Sequence, residues 1–132
     1  MHKKLEKYFL IFQDANEKFD GNLIKDYLAH DVIYTSQHVL EDLVGKEKVL
    51  HYLVARYKYF ELHKDNQKRT FEKAYATGGS QINEPCLILK VNNKKEAYIF
   101  FELNDNDQIQ QIMTLSIPFH SLKSVKRFRS EK

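Results

Sequence analysis

Three side chains that can exchange protons recur at alternate positions of one short segment. Tyr34, Ser36 and His38 supply a phenol, a hydroxyl and an imidazole. The β-branched and aromatic residues of segment 31–36 predict a strand, and alternate residues of a strand share one face. Histidine titrates near neutral pH, so His38, oriented by Tyr34 or Ser36, is a candidate catalytic base. The alternative interpretation is that His38 is exposed or forms only a structural hydrogen bond.

A cationic candidate lies on a predicted helix. Gly45 opens this helix, whose apolar residues recur on one face as far as about Phe60. Tyr52, Arg56 and Tyr59 follow one another at spacings of four and three, which places them in a stripe beside that face. One interpretation is that Arg56 binds an anionic ligand at the mouth of a pocket. The other is that Arg56 is a solvated or salt-bridged surface residue and that the tyrosines only cover the core.

Metal and cofactor chemistry have no comparable pattern. The six histidines show neither HxxxH nor HExxH spacing. Gly78 and Gly79 lie between two predicted strands, which indicates a turn rather than a phosphate-binding loop. A single cysteine, Cys86, excludes an internal disulfide and a multi-thiolate zinc site, and it is interpreted as a small apolar core residue. We therefore expect neither a metal nor a cofactor.

The elements that position these residues follow from hydrophobic periodicity. The 132 residues, 42% hydrophobic and 30% charged, suffice for one domain with a single core. Spacings of three and four predict a first helix that ends near Gly21, where the glycine takes the left-handed stop and Asn22 caps a second, short helix. Four strands are predicted after the third helix, over 69–77, 86–91, 96–103 and 109–117. The result is an α+β domain in which three helices cover one face of a curved antiparallel sheet.

Charge is concentrated at the C-terminus. The formal net charge is +3, of which residues 119–132 carry +4, leaving −1 on residues 1–118. We therefore predict a single domain over 1–118 and a basic tail over 119–132. A body with this charge offers no extended positive surface, so nucleic-acid binding is disfavoured. No apolar stretch approaches the roughly 20 residues of a membrane span. We expect no membrane partner and a cytoplasmic location, which the single cysteine also favours.

The order of elements and three short motifs resemble the nuclear transport factor 2-like superfamily, including its SnoaL-like polyketide cyclase and ketosteroid isomerase branches. The motifs are the turn Asp20-Gly21-Asn22, the strand entry LAHDVIY over 28–34 and the helix start GKEKVLHYL over 45–53. The resemblance spans about residues 3–118. It implies a cone-shaped fold in which helices packed on the concave sheet face enclose a mostly apolar pocket. It also implies that the convex face forms a homodimer contact.

The resemblance allows the catalytic residues of the isomerase branch to be checked. That branch combines a tyrosine on the first helix, a carboxylate base on the first strand and a protonated acid on a late strand. The resemblance places these positions on or beside Phe12, on Ser36 and on or beside Ile99. None of the three side chains has the required chemistry. Isomerisation of a steroid by this mechanism is therefore not expected.

Two hypotheses of function follow. The first is binding of a small hydrophobic or weakly polar molecule, with a lyase, isomerase or cyclase activity in which His38 is the base. The expected ligand-binding residues are Phe12, Tyr34, Ser36, Leu53, Arg56, Ile99 and Thr114. The second is a non-catalytic interaction or assembly domain in which Phe and Tyr side chains fill the interior and the sheet is the working surface. A hollow interior distinguishes the first hypothesis from the second.

The last two predicted strands carry apolar residues on both faces. Ile99 lies on one face of its strand, and Tyr98 and Phe100 lie on the other. On the final strand Thr114 and Met113 face opposite ways, and the pattern leaves open which face lines the pocket. Exposure of Tyr98 and Phe100 on a flat sheet would be unfavourable. We therefore predict a homodimer through the face that carries these two rings.

Overall fold

A computed structural model of the chain describes residues 2–36, 41–77 and 83–115. His38, Gly78, Gly79 and the predicted tail, 119–132, lie outside the described residues. The helices are α1 (His2–Glu17), a 3-10 helix (Gly21–Tyr27) and α2 (Lys46–Leu62). The strands are β1 (Leu28–Ser36), β2 (Leu43–Val44), β3 (Arg69–Thr77), β4 (Asn83–Val91), β5 (Lys94–Leu103) and β6 (Ile109–Leu115). The described helices include none that is long and apolar enough to cross a membrane.

The turn between α1 and the 3-10 helix differs in detail from the prediction. The left-handed residue after α1 is Phe19, with φ of 54°, and not Gly21. The side chain of Asp20, rather than Asn22, caps the next helix by accepting a hydrogen bond of 3.0 Å from the Asn22 backbone N–H. Gly21 is required for another reason. A Cβ atom at this position would lie 2.9 Å from the backbone nitrogen of Val54, so only glycine allows the close approach to α2.

The strands form one six-stranded sheet in the order β2-β1-β6-β5-β4-β3. The sheet is mixed and not wholly antiparallel as predicted, because β1 pairs parallel with β6. The intervening α2 carries the chain away from β1, and the chain returns through the meander β3 to β6 so that β6 lies beside β1 in the same direction. Register shifts in the β1–β6, β4–β5 and β5–β6 pairs bend the sheet.

The sheet has two apolar faces. The helix-covered face carries the sheet side chains that pack with both α-helices in the main core, namely Val32, Tyr34, Leu87, Ile99, Phe101 and Ile112. The opposite face carries a second cluster, formed by Cys86, Ile88, Tyr98, Phe100 and Met113. Cys86 is fully buried there, as predicted. Tyr98 and Phe100 are only 5% and 2% exposed within the single chain, so the exposed rings that motivated the predicted dimer are not observed.

Candidate functional site

A cavity of about 320 Å³ lies between α1, α2 and the helix-covered face of the sheet. The sheet contributes alternate residues of its strands, because only these point toward the helices. Thr114 of β6 is one of them and stands beside Ser36 of β1 and Ile99 of β5 in the strand register. The face of the final strand that the sequence left open is therefore the Thr114 face.

Six of the seven predicted ligand-binding residues line this cavity. They are Phe12, Tyr34, Ser36, Leu53, Arg56 and Thr114. Ile99 does not: it shares the face with Thr114 but is 4% exposed and packs inside the main core. Tyr52 and Tyr59 of the predicted stripe also line the cavity, and Tyr59 is 47% exposed. His38 lies outside the described residues, so its relation to the cavity stays a prediction.

One end of the cavity carries a group of hydroxyls that we call the hydroxyl cluster: Tyr34, Ser36, Tyr52 and Thr114. The phenol of Tyr34 shares hydrogen bonds with the other three side chains. The Tyr34 and Tyr52 rings lie 4.9 Å apart between centroids. Burial raises the pKa of Tyr34 to about 12, against the opposing effect of the Thr114 hydrogen bond. At neutral pH the phenol is therefore neutral and able to donate a hydrogen bond.

Two arginines meet at another part of the wall, which we call the arginine end. Arg56 of α2 and Arg69 at the start of β3 both approach the ring of Phe60. Their Cζ atoms lie 4.9 Å and 3.6 Å from the ring centroid, respectively. Such contacts between a guanidinium and an aromatic face are attractive and orient the cation. Arg56 was a candidate from the sequence, whereas Arg69 was not.

Asn16 of α1 ties the arginine end to both helices. It is 3% exposed. Its Nδ2 atom donates to the backbone oxygen of Phe12 at 2.8 Å and to the hydroxyl of Tyr57 at 2.9 Å. Its Oδ1 atom accepts a hydrogen bond from the guanidinium of Arg69. Burial raises the pKa of Tyr57, and the Asn16 hydrogen bond opposes this effect. Asn16 therefore fixes one phenol and one guanidinium at the cavity wall.

No ion pair between described residues neutralises the charge at the arginine end. Desolvation lowers the pKa of Arg69 to about 10, so the guanidinium remains charged at neutral pH. The ion pairs found within the described residues all use lysines. Glu96 also lines the cavity, but its side chain is exposed. The cavity thus combines neutral hydroxyl donors with two cations.

The sequence contains little that would have identified Asn16 and Arg69 as residues of the cavity. Asn16 stands one residue after Ala15 within the apolar spacing of α1, which is an unusual place for an amide. Arg69 follows a polar break and carries no local sign of burial. No group of three or more potential metal ligands occurs in the part of the chain that the structure describes.

Comparison with known proteins gives similarity in fold but not in sequence. No family model and no curated protein matches the chain. A SnoaL-like protein of unknown function from Burkholderia thailandensis aligns with a TM-score of 0.64 at 14% identity, over 89% of this chain and 98% of that one. A steroid delta-isomerase from Pseudomonas aeruginosa aligns with a TM-score of 0.57 at 12% identity, over 98% of this chain and 92% of that one.

A third structure broadens the comparison. A domain of unknown function with a cystatin-like fold from Nostoc punctiforme aligns with a TM-score of 0.59 at 8% identity, over 98% of this chain and 83% of that one. At these identities the similarity shows the fold alone. The chain therefore has the α+β cone fold that its sequence predicted, similar to the folds of this SnoaL-like protein and this steroid delta-isomerase.

Proposed function

We propose that this chain binds a small molecule in the cavity between its helices and its sheet. The observation that carries the proposal is the cavity itself, about 320 Å³ in volume, lined by aromatic rings and by polar and charged side chains. Ligand sites in proteins are concave, mostly apolar and furnished with a small number of oriented polar side chains. The alternative, an interaction domain with a filled interior, fits this cavity less well.

The dimensions of the cavity suit an elongated ligand. Tyr52, in the hydroxyl cluster, and Phe60, at the arginine end, are eight residues apart on α2, which corresponds to about 12 Å along the helix axis. A bicyclic aromatic molecule, or one ring with a short chain, has this length. The rings of Phe12 and Phe60 and the side chain of Leu53 offer apolar contacts to its body.

Catalysis is a separate part of the proposal. A lyase, isomerase or cyclase reaction requires a group that removes a proton, and the phenol of Tyr34, whose pKa burial raises to about 12, does not supply one at neutral pH. Among the described lining residues the one carboxylate is Glu96, which is exposed. We therefore propose His38 as the base of any such reaction. The variant His38→Ala should then retain ligand binding and lose turnover, and full activity in this variant would exclude His38 as the base.

A neutral fluorescent probe tests binding directly. N-phenyl-1-naphthylamine is apolar and gains fluorescence on leaving water, so we expect it to bind saturably to the folded chain. Ala97 is 8% exposed, lies on β5 and lines the cavity. The variant Ala97→Leu should fill part of the cavity and weaken probe binding at least tenfold. Lys58→Leu adds the same side chain at an exposed position of α2 and serves as the matched control.

The outcomes of this titration are distinct. Saturable binding that is weakened by Ala97→Leu and unchanged by Lys58→Leu supports the cavity as the binding site. An Ala97→Leu variant that binds the probe as well as the wild type contradicts the proposal, and so does a wild-type protein that binds neither this probe nor 4-phenylbutyrate nor 4-phenylbutan-1-ol. Thermal unfolding of each variant shows that the fold is retained. Native mass spectrometry of the purified protein then shows whether a ligand is carried from the cell.

A further inference from the structure

We propose that the ligand of this cavity is an amphipathic carboxylate, whose acid group is bound by Arg56 and Arg69 and whose apolar body lies along α2. This inference rests on the proposed function. It changes the expected ligand from a hydrophobic or weakly polar molecule to an organic anion.

The two guanidinium groups converge on a single aromatic ring. The Cζ atom of Arg69 lies 3.6 Å from the centroid of Phe60, and that of Arg56 lies 4.9 Å from the same point. Like charges this close repel one another, and in a partly desolvated site water screens the repulsion less than in bulk solvent. The arrangement is therefore most favourable when an anion is bound between or beside the two groups.

Among the residues that the structure describes, neither guanidinium has an acidic partner. The four ion pairs of the described residues are Lys4–Asp107, Lys18–Asp14, Lys73–Glu6 and Lys90–Glu72. The Nε atom of Arg69 is buried and lacks a hydrogen-bond partner within the same part of the chain. Buried polar atoms in proteins are normally hydrogen-bonded, so a buried donor beside a cavity points to a ligand that accepts from it.

Arg69 is held in place before any ligand arrives. Its guanidinium donates to Oδ1 of Asn16, which is itself anchored to Phe12 and Tyr57. The Phe60 ring covers one face of the guanidinium. A fixed, planar guanidinium matches the two oxygens of a carboxylate, and pre-organisation of this kind reduces the entropy lost on binding. Arg56 is exposed and adds a second positive charge at the same end.

The surroundings add to the positive field. A second depression of about 260 Å³ adjoins the cavity across Arg69 and is lined by Lys64, Lys68 and Glu17 among other residues. Glu96 contributes one negative charge on the cavity side. Among the described residues that line the two depressions, Arg69 is accompanied by three further cations and two carboxylates. The cations are Arg56, Lys64 and Lys68, and the carboxylates are Glu17 and Glu96. The net positive potential favours the approach of an anion.

The hydroxyl cluster defines the other end of the ligand. Tyr52 of this cluster lies one helical turn before Arg56 and about two turns, or about 12 Å along α2, before Phe60, whose ring both arginines contact. A ligand with its carboxylate at the arginines therefore places its far end near the neutral phenol of Tyr34. That phenol is suited to donate to a carbonyl or hydroxyl oxygen of the ligand. The inferred class is an elongated carboxylic acid with an aromatic or aliphatic body.

A matched pair of probes tests the charge requirement. The probes 4-phenylbutyrate and 4-phenylbutan-1-ol share the same ring and chain and differ in the acid group. Isothermal titration calorimetry at neutral pH should show that the acid binds at least tenfold more tightly than the alcohol. A tenfold change corresponds to about 1.4 kcal/mol. Raising the salt concentration should weaken binding of the acid and leave binding of the alcohol unchanged.

Variants of the arginines locate the charge effect. Arg56→Gln should weaken binding of 4-phenylbutyrate about tenfold and change binding of the alcohol less than twofold. Lys58→Gln removes the same charge from an exposed position two residues away on α2 and should change neither. Arg69→Gln should weaken binding of the acid at least as strongly. Because Arg69 also contacts Asn16, its result is interpreted only if thermal unfolding matches the wild type, and Arg56→Gln remains the decisive variant.

The results separate this inference from the proposed function. Equal binding of acid and alcohol, or binding of the acid that Arg56→Gln leaves unchanged, overturns the carboxylate inference while binding in the cavity stands. Binding of N-phenyl-1-naphthylamine without any binding of 4-phenylbutyrate overturns it as well. Failure of all three probes to bind contradicts the proposed function itself.

Discussion

Asn16 is the single residue on which the local structure of the arginine end most depends. Its amide satisfies the Phe12 carbonyl and the Tyr57 hydroxyl and accepts from Arg69. We expect Asn16→Ala to lower the free energy of unfolding by about 2 kcal/mol, since buried polar groups would lose their partner. Urea denaturation measures this change in the free energy of unfolding, provided that the m-value is the same in the variant and the wild type. The control Glu17→Ala, at an exposed neighbouring position, should change stability by less than about 0.5 kcal/mol. Equal stability of the two variants would contradict this role of Asn16.

Tyr34 makes the protein sensitive to alkaline pH. An unfolded tyrosine ionises near pH 10, whereas burial raises the pKa of Tyr34 to about 12. The folded state holds this proton more tightly, so the stabilising contribution is complete below pH 10 and is lost as the pH rises from 10 to 12. Burial shifts the pKa of Tyr57 in the same direction.

The raised pKa of Tyr34 can be detected by absorbance spectroscopy. Phenolate absorbance of the native protein, which has eight tyrosines, should show a late-titrating fraction that is absent in concentrated urea. The variant Tyr34→Phe should remove part of this late fraction. Tyr59→Phe, a change at a tyrosine that is 47% exposed, serves as the matched control for the loss of one phenol. A late fraction that Tyr34→Phe leaves intact would contradict the burial of this phenol.

Sequence patterns predicted the residues of the cavity where local periodicity determines the direction of a side chain. Strand alternation placed Tyr34 and Ser36 on one face, and helical spacing placed Leu53 and Arg56 beside each other. Arg69 was missed because its partner Asn16 is 53 residues away in the chain. Ile99 lies on the predicted face but does not line the cavity, since strand alternation identifies the face of a residue and not how deeply the helices cover it.

At the scale of elements, the helices and the meander were predicted well because each is a local structure. The bounds of β3, Arg69–Thr77, are those predicted, and α2 extends only two residues beyond the predicted Phe60. The predicted second helix is a 3-10 helix. The parallel pairing of β1 with β6 was missed, because it joins segments separated by α2 and four strands and leaves no mark on either segment.

The contact between the 3-10 helix and α2 yields a prediction for an element. An added methyl group in Gly21→Ala would meet backbone atoms of Val54 and Leu53 at 2.9 to 3.1 Å, and backbone yields little. We expect a loss of about 1 to 3 kcal/mol in unfolding free energy, typical of overpacking. Because α2 carries much of the cavity wall, probe binding should weaken as well. The control Asn22→Ala, at an exposed position of the same helix, should leave both quantities near wild-type values. If Gly21→Ala were as stable as the wild type, the 3-10 helix and α2 could move apart at little cost, and the close contact would not require glycine.

At the scale of the whole molecule, the two faces of the sheet have different roles. The helix-covered face packs with α1 and α2 and leaves the cavity between them. Among the described residues, the buried cluster on the opposite face is formed by β4, β5 and β6 without a helix residue. The register shifts bend the sheet, which lets the helix-covered face curve around the cavity.

A homodimer through the opposite face stays a prediction, and the structure changes its expected strength. Tyr98 and Phe100 are already 5% and 2% exposed in one chain, so they add little area to an interface between two. We therefore expect a weak, concentration-dependent dimer in sedimentation experiments rather than a permanent one. The salt bridge between Glu72 and Lys90, of 3.2 Å, lies on this face because Glu72 pairs in register with Ile88.

This ion pair provides the variant that tests the dimer. Glu72→Lys places two cations side by side on the opposite face, which should repel a second copy and shift the equilibrium toward monomer by about tenfold. Glu61→Lys makes the same change at an exposed position of α2, away from the sheet, and should leave the equilibrium unaltered. A monomer mass at every concentration would contradict the dimer. If both substitutions weaken the dimer equally, the effect is one of net charge and not of position. That result would contradict a dimer contact through the opposite face.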